Sequence, residues 1–118
     1  FFNRFKINRE PHLVNQAYCS AISCGYSAVE TELWEPIATI ALDAAYEGTL
    51  LAAAAMRDQG IGTGRVWLTF IGGGVFGNKD EWIVAAIKRA LALTGDLGID
   101  IRISHYKGLS STFQGLKV

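Results

Sequence analysis

Apolar residues recur at helical spacing in two long stretches of the chain. Residues 29–60 predict one helix, in which Pro36 suits the first turn, alanines fill the body and Gly60 can act as the stop. A broad apolar stripe predicts that this helix packs on a sheet, and it consists of Ile37, Ile40, Ala41, Ala44, Ala45 and Leu51.

Residues 78–95 predict a second helix, which Asn78 or Asp80 could cap and Gly95 could terminate. Its predicted buried side consists of Trp82, Ile83, Ala86, Ile87, Ala90, Leu91 and Leu93, with Lys88 and Arg89 turned outward.

Three shorter segments carry the composition of strands. Residues 13–23 are rich in β-branched, aromatic and small residues, and they read as a strand. Residues 66–71 are apolar on both faces except at Thr69, which is typical of a central strand covered on both sides. Residues 98–108 alternate cleanly between isoleucine and polar positions, which places that strand near an edge. The β-α-β-α-β order predicts an α/β fold with a parallel or mostly parallel sheet and right-handed crossovers.

Composition limits the classes of protein that fit this pattern. A chain of 118 residues with 50 % hydrophobic content is enough for a single domain, residues 1–118. Lys and Arg together number 11, as do Asp and Glu, so no overall positive field is available for a nucleic acid. Residues 36–56 are interrupted by Asp43 and Glu47, an acidic pair expected on a solvated stripe, which favours a buried helix over a membrane span.

The cysteines and the start of the chain add weaker expectations. Cys19 and Cys24 are too few for a disulfide scaffold, so they are interpreted as reduced packing thiols in a cytoplasmic protein. The first residues, FFNRFKINRE, have neither an initiator methionine nor the pattern of a signal peptide. We therefore expect the later part of a longer protein or an incomplete sequence, and a homodimer if this chain is stable alone.

The stretch LTFIGGGVFGNKDEW, residues 68–82, places four glycines between the second predicted strand and the second predicted helix. Such a junction binds phosphate when backbone N–H groups and the helix dipole face an anion, although a tight turn needs no ligand. Gly72, Gly74 and Gly77 spell the dinucleotide fingerprint, but no acidic residue follows at the carboxyl end of the next strand. The Walker pattern fails because Lys79 does not directly follow Gly77.

A third pattern fits better. RVWLTFIGGGVFGN, preceded by a helix of the type AAYEGTLLAAAAMRDQGIG, resembles the later half of the macro domain, the fold that binds ADP-ribose. The resemblance covers roughly residues 12–108, is most specific at the glycine loop and implies a fragment of a three-layer fold. It implies that the loop wraps the diphosphate and the distal ribose of the ligand, with Phe76 as the aromatic that stacks on the ribose. The implied ligand-binding residues are Gly72, Gly73, Gly74, Val75, Phe76, Gly77 and Asn78.

The chain departs from the family pattern in two respects. Thr69 stands near the usual position of a proline, and Asn78 follows the last glycine where an apolar residue and a proline are common. The earlier half of the family is also missing, and that half supplies the acidic residue for adenine and the catalytic asparagine loop. Asn15 lies inside the strand that would follow the missing portion, so it is not assigned the catalytic role.

Other chemistry is less well supported by the sequence. His12 and His105 stand 93 positions apart, and neither forms metal-ligand spacing with Cys19 or Cys24, so no metal site is predicted. His105 and Tyr106 fall at the carboxyl end of a predicted strand, where a ligand could meet them. Lys79 could neutralise a phosphate.

Three hypotheses follow for the function. The first is a binding module for ADP-ribose or a related nucleotide diphosphate, with no cofactor and no nucleic-acid or membrane partner. The second is a non-catalytic assembly domain, a homodimer whose glycines only shape a turn. The third, hydrolysis of ADP-ribose adducts, requires upstream residues to complete the site, so the catalytic residues are unknown.

Overall fold

The computed structural model describes residues 2–7, 10–105, 111–114 and 116, and for residues 2–7, 10–12 and 112 it describes the backbone alone. The architecture mixes helices with strands and is α/β in the broad sense. Strands β1 (Phe2–Ile7) and β2 (Glu10–Asn15) form an antiparallel hairpin. Helix α1 (Glu35–Asp58), strand β3 (Arg65–Leu68), helix α2 (Asp80–Thr94) and strand β4 (Asp100–Ile103) follow in that order.

Strands β3 and β4 are parallel neighbours, with Arg65 opposite Asp100 and Leu68 opposite Ile103. Helix α2 provides the crossover between them. The strand predicted at 98–108 alternates as expected, because Ile101 and Ile103 are half-buried while Asp100 and Arg102 are exposed. Its predicted end, residues 106–108, lies outside the described residues.

The first predicted strand, residues 13–23, is wrong beyond Asn15. Residues 16–20 are exposed and belong to neither sheet, and the chain then makes a short 3-10 turn at Cys24–Tyr26. Cys24 is buried in the core while Cys19 stays exposed, and both thiols are free. Residues 21–26 turn away from an extended path because they pack beneath the glycine loop.

Helix α1 ends within two residues of the predicted stop, but it begins at Glu35, six residues after the predicted start, because residues 31–34 form a separate 3-10 turn. Pro36 lies in its first turn, where a missing N–H costs nothing. At the carboxyl end Gly60 adopts a φ of +70°, Gly60 N–H donates to Arg57 O, and Ile61 N–H donates to Met56 O. This pair of bonds is a Schellman cap.

The predicted packing face of α1 is wrong at most of its positions, although Ala45 is buried as predicted. Its buried residues are Ala38, Leu42, Ala45, Tyr46, Leu50 and Ala54. Ile37, Ile40 and Leu51, which the sequence places inward, are 53 %, 69 % and 51 % exposed. Since α1 is apolar on nearly every side, spacing alone cannot distinguish the face that packs on α2 from the opposite face.

Strand β3 is not covered on both sides, contrary to the prediction. Val66 and Leu68 are buried, whereas Trp67 is 60 % exposed and Arg102 lies 5.5 Å from its ring centroid. Arg65 Nε also lies 2.8 Å from a carboxylate oxygen of Asp100. The polar outer face of the sheet is therefore organised around an exposed tryptophan.

Helix α2 packs on α1 through Trp82, Ile83, Ala86, Ile87 and Ala90, as predicted, but Leu93 is 54 % exposed. Lys79, rather than Asn78 or Asp80, occupies the N-cap position, and no side chain caps the helix. Arg89 is exposed, as expected. Its Nε lies 3.5 Å from Asp43 and 3.2 Å from Glu47, so the acidic pair of α1 faces α2.

Among the described residues, one helical stretch, Thr31–Asp58, is long and apolar enough to cross a membrane by length and composition alone. Core helices of water-soluble proteins pass the same test. Leu42, Tyr46 and Leu50, on the inner side of this stretch, are fully buried against the rest of the chain.

Candidate functional site

The candidate site is the loop between the carboxyl end of β3 and the amino end of α2, and it contains all of residues 72–78. Ligands of parallel α/β sheets bind at this edge, beyond the carboxyl ends of the strands. Gly73 is extended, residues Gly74–Phe76 form a single 3-10 turn, and Gly77 closes the turn with a φ of +73°. The loop is thus a compact structure with its own hydrogen bonds.

Tyr46 of α1 fixes the point where the chain leaves β3. Its ring is 1 % exposed, its hydroxyl donates to Thr69 O at 2.8 Å, and Ile71 N–H donates to the hydroxyl oxygen at 3.0 Å. Burial raises the pKa of Tyr46 to about 12. The sequence interpretation assigned this residue no role, although a tyrosine in a core helix generally needs a partner for its hydroxyl.

Three of the four loop glycines have a left-handed backbone: Gly72 at +83°, Gly74 at +61° and Gly77 at +73°. Two of them also lie against another part of the chain. A Cβ on Gly72 would stand 2.3 Å from the Cβ of Ala21, and one on Gly77 would stand 2.9 Å from the Cα of Gly25. The close approach suggested by the glycines is therefore made, at these two positions, by residues 21–25 of the same chain.

Gly74 differs from those two glycines, because a Cβ added to it would meet nothing within 4 Å. The amides of Gly74 and Val75 donate to no acceptor among the residues that the structure describes. Val75 itself is 72 % exposed. The tip of the loop is thus an open surface with two backbone donors that have no acceptor among the described residues.

Asn78 is buried and holds the base of the loop together. Its Nδ2 donates to Ile22 O at 2.7 Å and to Gly72 O at 3.0 Å, while its backbone N–H also donates to Gly72 O. Its Oδ1 is buried without a hydrogen-bond partner among the described residues. Asn78 is a residue that the resemblance assigns to ligand binding, but its side-chain nitrogen is occupied within the fold.

Phe76 lies at the rim of the loop and is partly buried. Its ring meets Tyr26 edge to face, with 6.3 Å between centroids and 80° between planes. Tyr26 belongs to the short turn that supports Gly77, and it is 73 % exposed. The aromatic expected to stack on a ribose thus has an aromatic neighbour that the sequence did not indicate.

Charges near the amino end of α2 are already paired in part. Lys79 Nζ lies 2.8 Å from Glu32 and 5.6 Å from the ring centroid of Trp82. The hydrogen bond with Lys79 lowers the pKa of Glu32, and the same bond raises the pKa of Lys79. Asp80 and Glu81 place two further carboxylates in the first turn, where their negative charge interacts favourably with the helix dipole.

His105 packs into an aromatic cluster at the carboxyl end of β4. Its ring centroid lies 4.9 Å from that of Phe70, which in turn stacks on Phe113 at 3.7 Å. Tyr106 and the side chain of His12 lie outside the described residues. The cluster closes the sheet edge next to the loop, and His105 contributes to it as a packing group.

Within the described part of the chain, no group of three or more His, Cys, Asp or Glu side chains could hold a metal ion. A groove of about 220 Å³ lies away from the loop, between residues 17–19 and the small residues of α1. No family model matches the chain, and no curated protein or solved structure is significantly similar to it.

Proposed function

We propose that the loop of residues 72–78 binds the diphosphate-ribose portion of ADP-ribose or of a related nucleotide. The observation that carries the proposal is the open loop tip, where Gly74 leaves space and the amides of Gly74 and Val75 have no described acceptor. Backbone amides grouped beside the amino end of a helix favour an anion. Phe76 and Tyr26 offer an aromatic rim for the sugar.

The proposal includes a macro-domain-like architecture, in which β3 and β4 belong to a larger parallel sheet arranged in three layers. A parallel sheet is normally covered on both faces, and the exposed Trp67 on the outer face of β3 is consistent with a further layer over that face. Hydrolysis of ADP-ribose adducts would need catalytic residues beyond those of the loop. The proposed role of these residues is therefore binding, in a cytoplasmic protein.

Calorimetric titration with ADP-ribose tests the proposal, with AMP and ribose 5-phosphate as partial ligands. We expect saturable heat with ADP-ribose and a weaker response to either fragment, because each fragment lacks part of the diphosphate-ribose unit. A titration without heat, together with an unchanged melting temperature at millimolar ADP-ribose, would refute ligand binding by this chain.

Gly74→Asp is the most specific variant, and Gly60→Asp is its matched control. Both glycines have a left-handed backbone, at +61° and +70°, and neither has an atom within 4 Å of an added Cβ. Aspartate tolerates this conformation better than most residues, so both variants are expected to fold with similar melting temperatures. Only the carboxylate at position 74 would repel a diphosphate, and we expect it to weaken ADP-ribose binding at least tenfold. Equal losses in the two variants would contradict the assignment.

A second candidate function is supported by the two internally packed glycines. Because Gly72 and Gly77 are explained by the approach of Ala21 and Gly25, the loop could shape a turn in a non-catalytic assembly domain without any ligand. Absence of ADP-ribose binding in a well-folded protein that self-associates would support this alternative.

A further inference from the structure

Helix α1 carries a second apolar face, opposite the one that packs in the core. It consists of the exposed residues Ile37, Ile40, Ala44, Gly48, Leu51, Ala52 and Ala55, which we call the α1 outer face. Their spacing of three or four residues places them along one side of the 24-residue helix. Three large side chains on this face are 51 % to 69 % exposed, and residues 17–19 border the face only at the groove beside Ala44 and Gly48.

Gly48 interrupts the middle of this face, and no contact among the described residues explains it. Glycine is, after proline, the residue least favourable to a helix interior. A Cβ added to Gly48 would meet nothing within 4 Å, so packing within the described part of the chain does not require a glycine there. A second helix crossing at this position would require a glycine, because a missing side chain allows two helices to approach more closely.

The distribution of large and small residues along the face indicates how such a helix would lie. Large residues occupy the amino-terminal half at Ile37 and Ile40, whereas alanines predominate in the carboxyl-terminal half beyond Leu51. An antiparallel copy of the same helix, crossing at Gly48, places Ile40 against Ala55 and Leu51 against Ala44. A parallel copy would oppose isoleucine to isoleucine and leave a gap between the small residues.

We propose that the α1 outer face is the interface of a symmetric homodimer, in which the α1 helices of two copies of this chain cross antiparallel at Gly48. The two-fold arrangement uses the same patch on both copies, as isologous interfaces do. The groove of about 220 Å³ beside Ala44, bounded by Tyr18 and Cys19, receives Leu51 of the other copy. This proposal does not depend on ligand binding at the loop.

The exposed area fits a dimer of modest affinity. A fully buried Leu or Ile side chain removes on the order of 100 Å² of apolar surface from water. With their observed exposures, the large and small residues of the α1 outer face offer about 300 Å² of apolar surface per copy. Since interfaces are roughly 60 % apolar, complete burial of this face would give the pair at most about 1,000 Å², at the lower limit of specific interfaces.

The charged flank of the face does not oppose this pairing. Asp43 and Glu47 border the α1 outer face on one side, and the guanidinium of Arg89 lies within 3.5 Å of both carboxylates. Two copies would therefore bring together partly neutralised clusters rather than bare acidic stripes.

Sedimentation equilibrium of the whole chain tests the dimer, and Leu51→Glu and Leu93→Glu form a matched pair. The two leucines are 51 % and 54 % exposed, on α1 and α2 respectively. We expect the unchanged chain and Leu93→Glu to dimerise reversibly, and Leu51→Glu to raise the dissociation constant at least tenfold. A monomer at about 200 μM would overturn the proposal, as would equal weakening by both variants. Flotation of a monomeric chain with phosphatidylcholine vesicles would also overturn it and assign the face to a lipid surface.

Cysteine cross-linking distinguishes the antiparallel from the parallel arrangement. In a Cys19→Ser background, Gly48→Cys places two thiols at the crossing point, whereas Ile40→Cys places them about 24 Å apart along antiparallel helices. We expect oxidation to yield a disulfide-linked dimer with Gly48→Cys and monomer with Ile40→Cys, with circular dichroism showing that both variants fold. Cross-linking of Ile40→Cys as efficiently as Gly48→Cys would refute the antiparallel pairing.

Discussion

Tyr46→Phe removes one oxygen atom from the core and tests how the loop is attached to helix α1. The hydroxyl donates to Thr69 O and accepts from Ile71 N–H, and the ring is almost completely buried. Phenylalanine keeps the packing of the ring but leaves the Ile71 amide with its weaker contact to Thr69 O, at 3.1 Å. The change therefore isolates the two hydrogen bonds from the apolar contacts.

The expected loss of stability follows from those two bonds. A typical intramolecular hydrogen bond contributes about 0.5–1.5 kcal/mol, and a buried group left without a partner costs about 1–3 kcal/mol. Two buried groups left fully unpaired would cost about 2–6 kcal/mol together. Because the Thr69 carbonyl and the Ile71 amide remain in contact with each other, we expect a loss near the lower end of that range, about 1.5–3 kcal/mol. Urea denaturation at neutral pH measures this difference. Tyr26→Phe, which alters an exposed ring, is the control and should change stability by less than about 0.5 kcal/mol.

The pH dependence provides an independent check on the same hydroxyl. Tyr46 has a pKa of about 12 in the folded chain, above the ordinary value of 10.0, so the unfolded chain loses this proton first as the pH rises. The stability conferred by Tyr46 is therefore complete below pH 10 and declines between pH 10 and 12, by up to about 2.7 kcal/mol. Tyr46→Phe lacks this decline, so the difference between the two proteins should shrink over that range. A neutral-pH loss below about 0.5 kcal/mol, or a difference that does not change with alkaline pH, would refute the assigned hydrogen bonds.

Other substitutions probe the loop and α1 separately, all by urea denaturation. Asn78→Ala should lower the free energy of unfolding by about 2–4 kcal/mol, because it leaves Ile22 O and Gly72 O without their side-chain donor. A loss smaller than about 1 kcal/mol would contradict the role of Asn78 in holding the base of the loop together. Gly77→Ala should destabilise the protein by at least about 1 kcal/mol more than Gly74→Ala. Both residues have a left-handed backbone, but only Gly77 lies against Gly25. Equal losses of stability in the two variants would be inconsistent with that contact. Gly48→Ala should stabilise the dissociated monomer by about 0.5–1 kcal/mol, and a loss of stability would mean that Gly48 has a packing role within the chain.

The glycine loop illustrates what a residue pattern can and cannot indicate about a site. Four glycines at a strand-to-helix junction correctly marked a place of unusual backbone conformation, and three of them are left-handed. The pattern could not show that Ala21 and Gly25, about fifty residues earlier in the chain, would approach two of them. Nor could it show that the side-chain amide of Asn78 would face inward, because one of its two acceptors, Ile22 O, belongs to a segment that the sequence predicted to be a strand.

Local chemistry was sufficient to predict the bodies of the two long helices, although not the start of α1 or the N-cap of α2. Pro36 at the start of α1 and the Gly60 cap at its end act within one turn of the chain, so neither depends on the rest of the fold. The alternation of Asp100 to Ile103 likewise defined the two sides of β4. These features follow from backbone geometry and from the spacing of side chains along a single element.

Only the tertiary structure decided which sides of these elements are covered. Helix α1 is apolar around most of its circumference, and the inner face was selected by Leu42, Tyr46 and Leu50 packing on α2 and β3, which left Ile37 and Ile40 outside. Trp67 was likewise left exposed on a strand whose composition predicted burial on both sides. A sequence records how apolar a surface is, whereas burial depends on which other surface meets it, and that is set by contacts between residues far apart in the chain.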